Sequence, residues 1–195
     1  MKKVDFIEMV NFLKEARLKG YAGGGEFKKF ESGFKIFRYS NRMKFSYEDK
    51  YINLFTPETF AGEEIVYFQD IPVWYMVYSG GMLPEYSFNT VLVKSVMCFL
   101  KECLVIELEA DRDPKKEFWP RGPSGLRKPD HIIFDGKPAF LYYFCFTRGN
   151  DIRHFSGEEV IRITEKDGLT ENDVFIHTFT GGIINKKAFS LMSMS

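Results

Sequence analysis

The sequence offers little for a charge-based or crosslink-based account. Lys plus Arg and Asp plus Glu each number 27, so the formal net charge is zero. No long run of one sign interrupts that balance, and direct nucleic-acid binding through a phosphate-neutralising surface is not expected. Cysteine is scarce. Cys98, Cys103 and Cys145 form an odd set without CxxC or Cys/His ligand spacing, which fits reduced thiols and excludes a disulfide framework or zinc ribbon. No apolar run approaches the roughly 20 residues that cross a bilayer. The opening MKKVDFIEMV sets Asp5 and Glu8 inside what would be the apolar core of a signal peptide. A cytoplasmic protein with no membrane partner and no cofactor is the expectation.

What is abundant is aromatic. The 195 residues are 45% apolar and 17% aromatic, with 21 Phe and 10 Tyr, enough to bury a core in a single compact domain spanning 1–195. Flat side chains in that proportion favour sheet.

The chain begins with an amphipathic helix: Asp5 and Glu8 make a capping-box-like start, and Phe6, Val10 and Leu13 recur at helical spacing until Gly20. Four strand-like segments follow at 33–39, 43–51, 60–68 and 72–80, separated by turn-like stretches. Ser87 is the expected cap of a second helix bearing Leu92, Val96, Phe99, Leu100 and Cys103, apolar almost all round and therefore central. After a polar, proline-containing loop the strand signals return at 131–136, 139–147, 155–164 and 173–184.

The order, one helix then four strands, thus occurs twice, and short motifs recur with it. FLKEA at 12–16 answers FLKEC at 99–103, FAGEEIV at 60–66 answers FSGEEVI at 155–161, and VWYMVYSGG at 73–81 answers VFIHTFTGG at 174–182. The separations grow along the chain, as insertions in loops would produce. The expected fold is α+β, an internally duplicated helix-plus-four-stranded antiparallel meander with units 5–81 and 88–182. One helix cannot cover four strands alone, so the two halves should share one core.

The succession YAGGGE, YEDKY, FAGEEIVYF, PVWYMVYSGG, WPRGP, FSGEEVI and TGGII resembles the bacterial domain of unknown function 5680 family, over about Phe12 to Ile184. Relatives that carry such a domain behind a DNA-binding helix-turn-helix imply a sensor module attached to a regulator. No such unit precedes the resemblance here. The second half has YYFCF where the first has the acidic YxDxY pattern, which leaves open whether one or both halves bind.

Strand alternation sorts side chains by face. Phe60, Glu64, Val66 and Phe68 share a side, as do Phe155, Glu159, Ile161 and Ile163, so Glu64 and Glu159 fall among apolar neighbours. Tyr47 and Asp49 align with Phe45 and Tyr51. Tyr142 belongs to the corresponding set with Phe140, Phe144 and Phe146. Trp74, Met76 and Tyr78 correspond to Phe175, His177 and Phe179. Acids beside aromatic rings suit a pocket that stacks a planar ligand and accepts hydrogen bonds from its hydroxyl or amino groups. Packing alone also accounts for most of the rings. YAGGGE and WPRGPSG, with Arg121, present backbone N–H groups and a charged fork to an anion, but neither leads into a helix as a phosphate loop does, and glycine also serves simply to turn the chain. His131, His154 and His177 are the histidines available for proton transfer, none within a nucleophile motif.

The expected function is a small-molecule-binding or sensing module for a nucleotide-like or sugar-bearing ligand, signal sequestration included. This reading leans away from an enzyme. A hydrolase using Asp49, Glu64 and Glu159 as acid and base is one alternative. A protein-interaction module using a sheet edge or the loop at 111–130 is another.

Overall fold

The computed structural model describes residues 4–41, 44–54, 59–110, 127–134, 137–164 and 171–189, with 127–134, 137–151 and 164 as backbone only. Helix α1 spans Phe6–Lys19. Its start is the expected one: the Asp5 carboxylate accepts the amides of Ile7 and Glu8 at 2.8 and 3.1 Å, satisfying donors that the first turn leaves open. Gly20 closes it, donating to the carbonyls of Ala16 and Arg17. The glycines of YAGGGE then fold back on the helix end. A Cβ on Gly23 would lie 1.7 Å from the Leu18 carbonyl oxygen, and one on Gly25 2.1 Å from that of Lys19. Glycine is needed here for close approach to carbonyls, which makes this turn a helix stop and a poor cradle for an anion.

The strands are β1 (Lys28–Lys29), β2 (Lys35–Ser40), β3 (Phe45–Asn53), β4 (Thr59–Phe68) and β5 (Ile71–Met82) before helix α2 (Thr90–Glu109), then β6 (Arg127–Phe134), β7 (Lys137–Asp151), β8 (His154–Thr164) and β9 (Glu171–Ile183). The eight expected strands are present among the described residues, with the two-residue β1 added at one edge. They form one antiparallel sheet in the order β1-β2-β3-β4-β5-β9-β8-β7-β6.

Helix α2 starts later than Ser87 suggests. Residues 84–88 make a turn in which the Ser87 hydroxyl donates to the Pro84 carbonyl at 2.8 Å. Asn89 is the cap, its side-chain oxygen accepting the Leu92 amide at 3.0 Å. Nor is the helix enclosed on all sides: Leu92, Val96, Phe99, Leu100 and Cys103 are buried, while Val91 and Ile106 are exposed. Its continuous apolar sequence is wider than the stripe that packs. Helix α1 lies against β2, β3 and α2, and α2 reaches β6 and β7. The core forms between these helices and the inward face of the sheet, where Phe45, Val66, Trp74, Met76 and Phe175 meet Val10, Leu13, Val96 and Phe99.

The recurring motifs have a common geometry at the sheet centre. Strands β5 and β9 pair about Tyr78 and Phe179, positions that correspond when VWYMVYSGG is laid on VFIHTFTGG. On one flank Phe60 stands opposite Gly80 and Gly62 opposite Tyr78. On the other, Phe155 stands opposite Gly181 and Gly157 opposite Phe179. Each FxG segment thus faces an aromatic-x-Gly segment, every ring opposite a glycine. At Gly62 the space is already filled, since a Cβ would lie 2.6 Å from Cζ and the hydroxyl of Tyr78 and from the Lys50 carbonyl oxygen. Gly62→Ala should therefore displace Tyr78 and lower stability by about 1–3 kcal/mol, as overpacking does. The midpoint of urea unfolding measures it, and an unchanged midpoint would show that Tyr78 does not rest over Gly62 in solution.

Candidate functional site

A cavity of about 270 Å³ opens between the inward sheet face and the two helices. Its floor comes from alternate positions of β3, β4, β5 and β9: Tyr47, Asp49, Glu64, Tyr78 and His177, each of them anticipated from strand alternation. Its roof is apolar, made by Val93, Met97, Leu100, Leu104 and Leu108 of α2. Tyr21, Tyr51 and Phe60 contribute aromatic walls.

Three polar pairs organise the floor. The Arg17 guanidinium, entering from the last turn of α1, donates from Nε to Glu64 Oε2 at 2.7 Å, with both side chains buried. The Tyr78 hydroxyl donates to Asp49 Oδ1 at 2.6 Å. That bond crosses from β5 to β3 over the intervening strand, and the missing side chain of Gly62 makes the crossing possible. Glu159 Oε2 lies 2.7 Å from His177 Nδ1, joining neighbouring strands with both residues almost fully enclosed. The ring of Tyr78 meets that of His177 edge-on, with centroids 5.5 Å apart. Phe60 leans across Gly80 to within 5.3 Å of the same imidazole.

Burial sets the electrostatics. Desolvation, reinforced by the Glu64 and Asp49 carboxylates, pushes the Tyr47 phenol well above its ordinary 10.0. Burial and then Asp49 raise Tyr51 as well. Both phenols therefore face the cavity as neutral groups able to donate or accept a hydrogen bond.

The remaining anticipated residues are distributed differently. Trp74 points inward but is fully buried beside the cavity: its ring stacks on Phe155 at 5.9 Å, its Nε1–H donates to the Ile152 carbonyl at 3.1 Å, and the Arg17 guanidinium lies 5.5 Å above it. Its connection to the site runs through Arg17. Glu159 likewise acts through His177. The backbone register sets Cys145, not a residue of the even-numbered set, opposite Glu159, and sets Tyr142 opposite Arg162. Strand β7 is thus shifted by one position from the sequence alignment, and the Tyr142 side chain lies outside the described residues. So do Arg121, the WPRGPSG stretch and the loop at 111–126. Alternation in the later strands did not anticipate Arg17, Tyr21 or Lys35, which close the cavity from the N-terminal side.

A protein-family model described as a domain of unknown function, DUF5680, matches residues 49–184. The chain belongs to this family. No curated protein matches the chain, and no solved structure does. The DUF5680 match begins at Asp49, so it contains β4, β5, α2 and the strands that follow but not α1 or β2. Arg17, Tyr21, Lys35 and Tyr47 lie before it, and the cavity is assembled from both parts of the chain. Among the described residues, no helix of this DUF5680 protein is long and apolar enough to cross a membrane.

Two measurements test the floor. Arg17→Met or Glu64→Gln alone should cost about 3–5 kcal/mol by breaking a buried pair, while the double variant should lose much less than the sum. Additive losses in urea unfolding would show that the two groups do not couple. For Tyr47 the folded pKa is raised above the unfolded one, so its contribution is complete below pH 10 and declines as pH rises toward the folded value. Unfolding temperatures between pH 9 and pH 12 should fall less steeply in Tyr47→Phe than in the parent, and identical slopes would count against a buried phenol.

Proposed function

We propose that the cavity between the helices and the sheet is a ligand site and that the protein is a small-molecule-binding or sensing module. One observation carries this reading: a partly open space with an apolar roof receives hydrogen-bonding groups from four strands and a helix end. Its volume of about 270 Å³ falls just below the roughly 300–1,000 Å³ usual for ligand pockets. That size suits one planar ring system with its substituents, such as a nucleoside-like or sugar-bearing compound, better than a dinucleotide. Tyr51 and Phe60 offer stacking surfaces, while Asp49, the neutral phenol of Tyr47 and the Tyr78 hydroxyl meet hydroxyl or amino groups. Sequestration of a small signal is one use of such a site.

The repeated helix-plus-four-strand order belongs to the same proposal. The pairing about Tyr78 and Phe179, with FxG facing an aromatic-x-Gly on either flank, supports descent of the two halves from one duplicated unit. The described cavity draws its acids mainly from the first half.

Hydrolysis is a second reading, in a changed form. Glu64 is engaged by Arg17 and Glu159 by His177, an arrangement that favours charge pairing over free carboxylate acid–base work. A carboxylate on Nδ1 does, however, orient an imidazole for proton transfer through its other nitrogen. If a turnover is found, His177→Gln should abolish it and Glu159→Gln should reduce it.

Native mass spectrometry of protein taken directly from cells tests the binding reading. A small molecule should accompany the wild-type chain and be lost from Met97→Trp, whose larger side chain fills the roof, provided thermal unfolding shows that variant folded. A bare polypeptide mass, together with no rise in unfolding temperature on adding a cell metabolite extract, would overturn it.

A further inference from the structure

The charged side chains lining the cavity are equal in number, Arg17 and Lys35 against Asp49 and Glu64, but they are not all paired with one another. Among those lining it, the Arg17 guanidinium is answered by Glu64 at 2.7 Å. Asp49 takes the Tyr78 hydroxyl, and His177 is held by Glu159, which stands behind the lining. Lys35 is the cation of the lining that has no charged partner among the described residues. Its ammonium donates to the amide oxygen of Asn53 at 2.8 Å and lies 5.1 Å from the centroid of Tyr51. An amide oxygen and a ring face both attract a cation without neutralising it. No carboxylate among the described residues pairs with Lys35, although Lys35, Asn53 and Tyr51 all line the cavity.

The position of this cation is as informative as its charge. Along the inward side of β3, Phe45, Tyr47 and Asp49 are buried, while Tyr51 and Asn53 are half-buried. Exposure therefore increases toward the end where Lys35 stands, opposite Tyr51 in the β2–β3 ladder. A second ammonium, that of Lys101 on α2, lies 4.8 Å from the centroid of Tyr21, another cavity wall. The deep end has acids and the Tyr47 phenol, and the more exposed end has the Lys35 ammonium held on the face of Tyr51. A neutral ligand would use the hydrogen bonds of the floor but leave the Lys35 charge unanswered at a half-buried position.

We infer that the cavity selects a planar organic anion, oriented with its acidic group against Lys35 at the open end and its ring beneath the apolar roof. This inference rests on the cavity being a ligand site and adds the charge and direction of what enters it. A carboxylate, sulfonate or phosphate supplies the same complement to the ammonium.

An isosteric pair of fluorescent probes, 2-naphthoate and the neutral 2-naphthamide, separates the two levels of the reading. Wild-type protein should bind the naphthoate more tightly, and added salt should weaken that binding more than binding of the amide. Lys35→Gln should reduce naphthoate affinity by about tenfold, the scale of one hydrogen bond to a charged group, with little effect on the amide. Met97→Trp should weaken binding of both. If both probes bind with equal affinity, or Lys35→Gln leaves the preference intact, anion selection is wrong while the cavity still binds. If neither probe binds, or Met97→Trp binds both as well as the parent in a folded state, both readings fall.

Discussion

The width of the sheet is the constraint from which the rest of the structure follows. Among the described residues, nine hydrogen-bonded strands extend for about 38 Å across, at roughly 4.8 Å per neighbour, whereas the two α-helices, of about 10 Å diameter, cover little more than half that distance. Sequential halves each bring one helix, and neither helix can seal the strands of its own half. Large aromatic side chains fill much of the difference, in keeping with the 21 Phe of the chain. Where the roof of α2 passes over β3, β4 and β5, the filling is incomplete and the cavity remains.

Glycine governs how far side chains reach across that surface. A ring at every central position would keep neighbouring strands' side chains apart and block lateral contacts. With glycine opposite each ring, Tyr78 reaches from β5 to Asp49 on β3, and Phe60 reaches from β4 to His177 on β9. The same substitution that removes packing area therefore admits a polar network spanning strands that do not touch. Glycine also weakens a strand by enlarging the freedom lost on folding. That cost is acceptable at the sheet centre because both neighbouring ladders hold the backbone in place.

This mechanism explains which parts of the site could be read from the residues. FxGEE is informative because its Phe, Gly and second Glu share a face: ring, gap and acid in one row. Alternation accordingly identified Asp49, Glu64 and Glu159 as inward, and the buried positions of all three agree. It could not separate cavity wall from core, since Trp74 and Tyr78 have the same parity and differ only in depth. It also misaligned β7 by one residue, because the irregular pairing between Arg148 and Asp151 at the β7–β8 turn has no signature in a run as uniformly aromatic as FLYYFCF. Arg17 did leave a signal. Phe6, Val10, Leu13 and Arg17 continue one helical stripe, and a cation in the last position of an apolar stripe calls for a buried acid elsewhere.

That stripe also gives the N-terminal segment a role beyond covering sheet. Glu64 lies within the family match and Arg17 before it, yet they form a single buried pair. A carboxylate removed from water requires a compensating charge, and its desolvation is offset only when the partner is held in good geometry. Here α1 supplies that partner from a rigid helix end, with the guanidinium further confined over Trp74. Docking of α1 thus does two things at once, neutralising an acid beneath the cavity and fixing the side chain that forms part of its floor. The recurring strand motifs provide the acid and the space, but the polarity of the finished cavity is set by residues from the segment that precedes them.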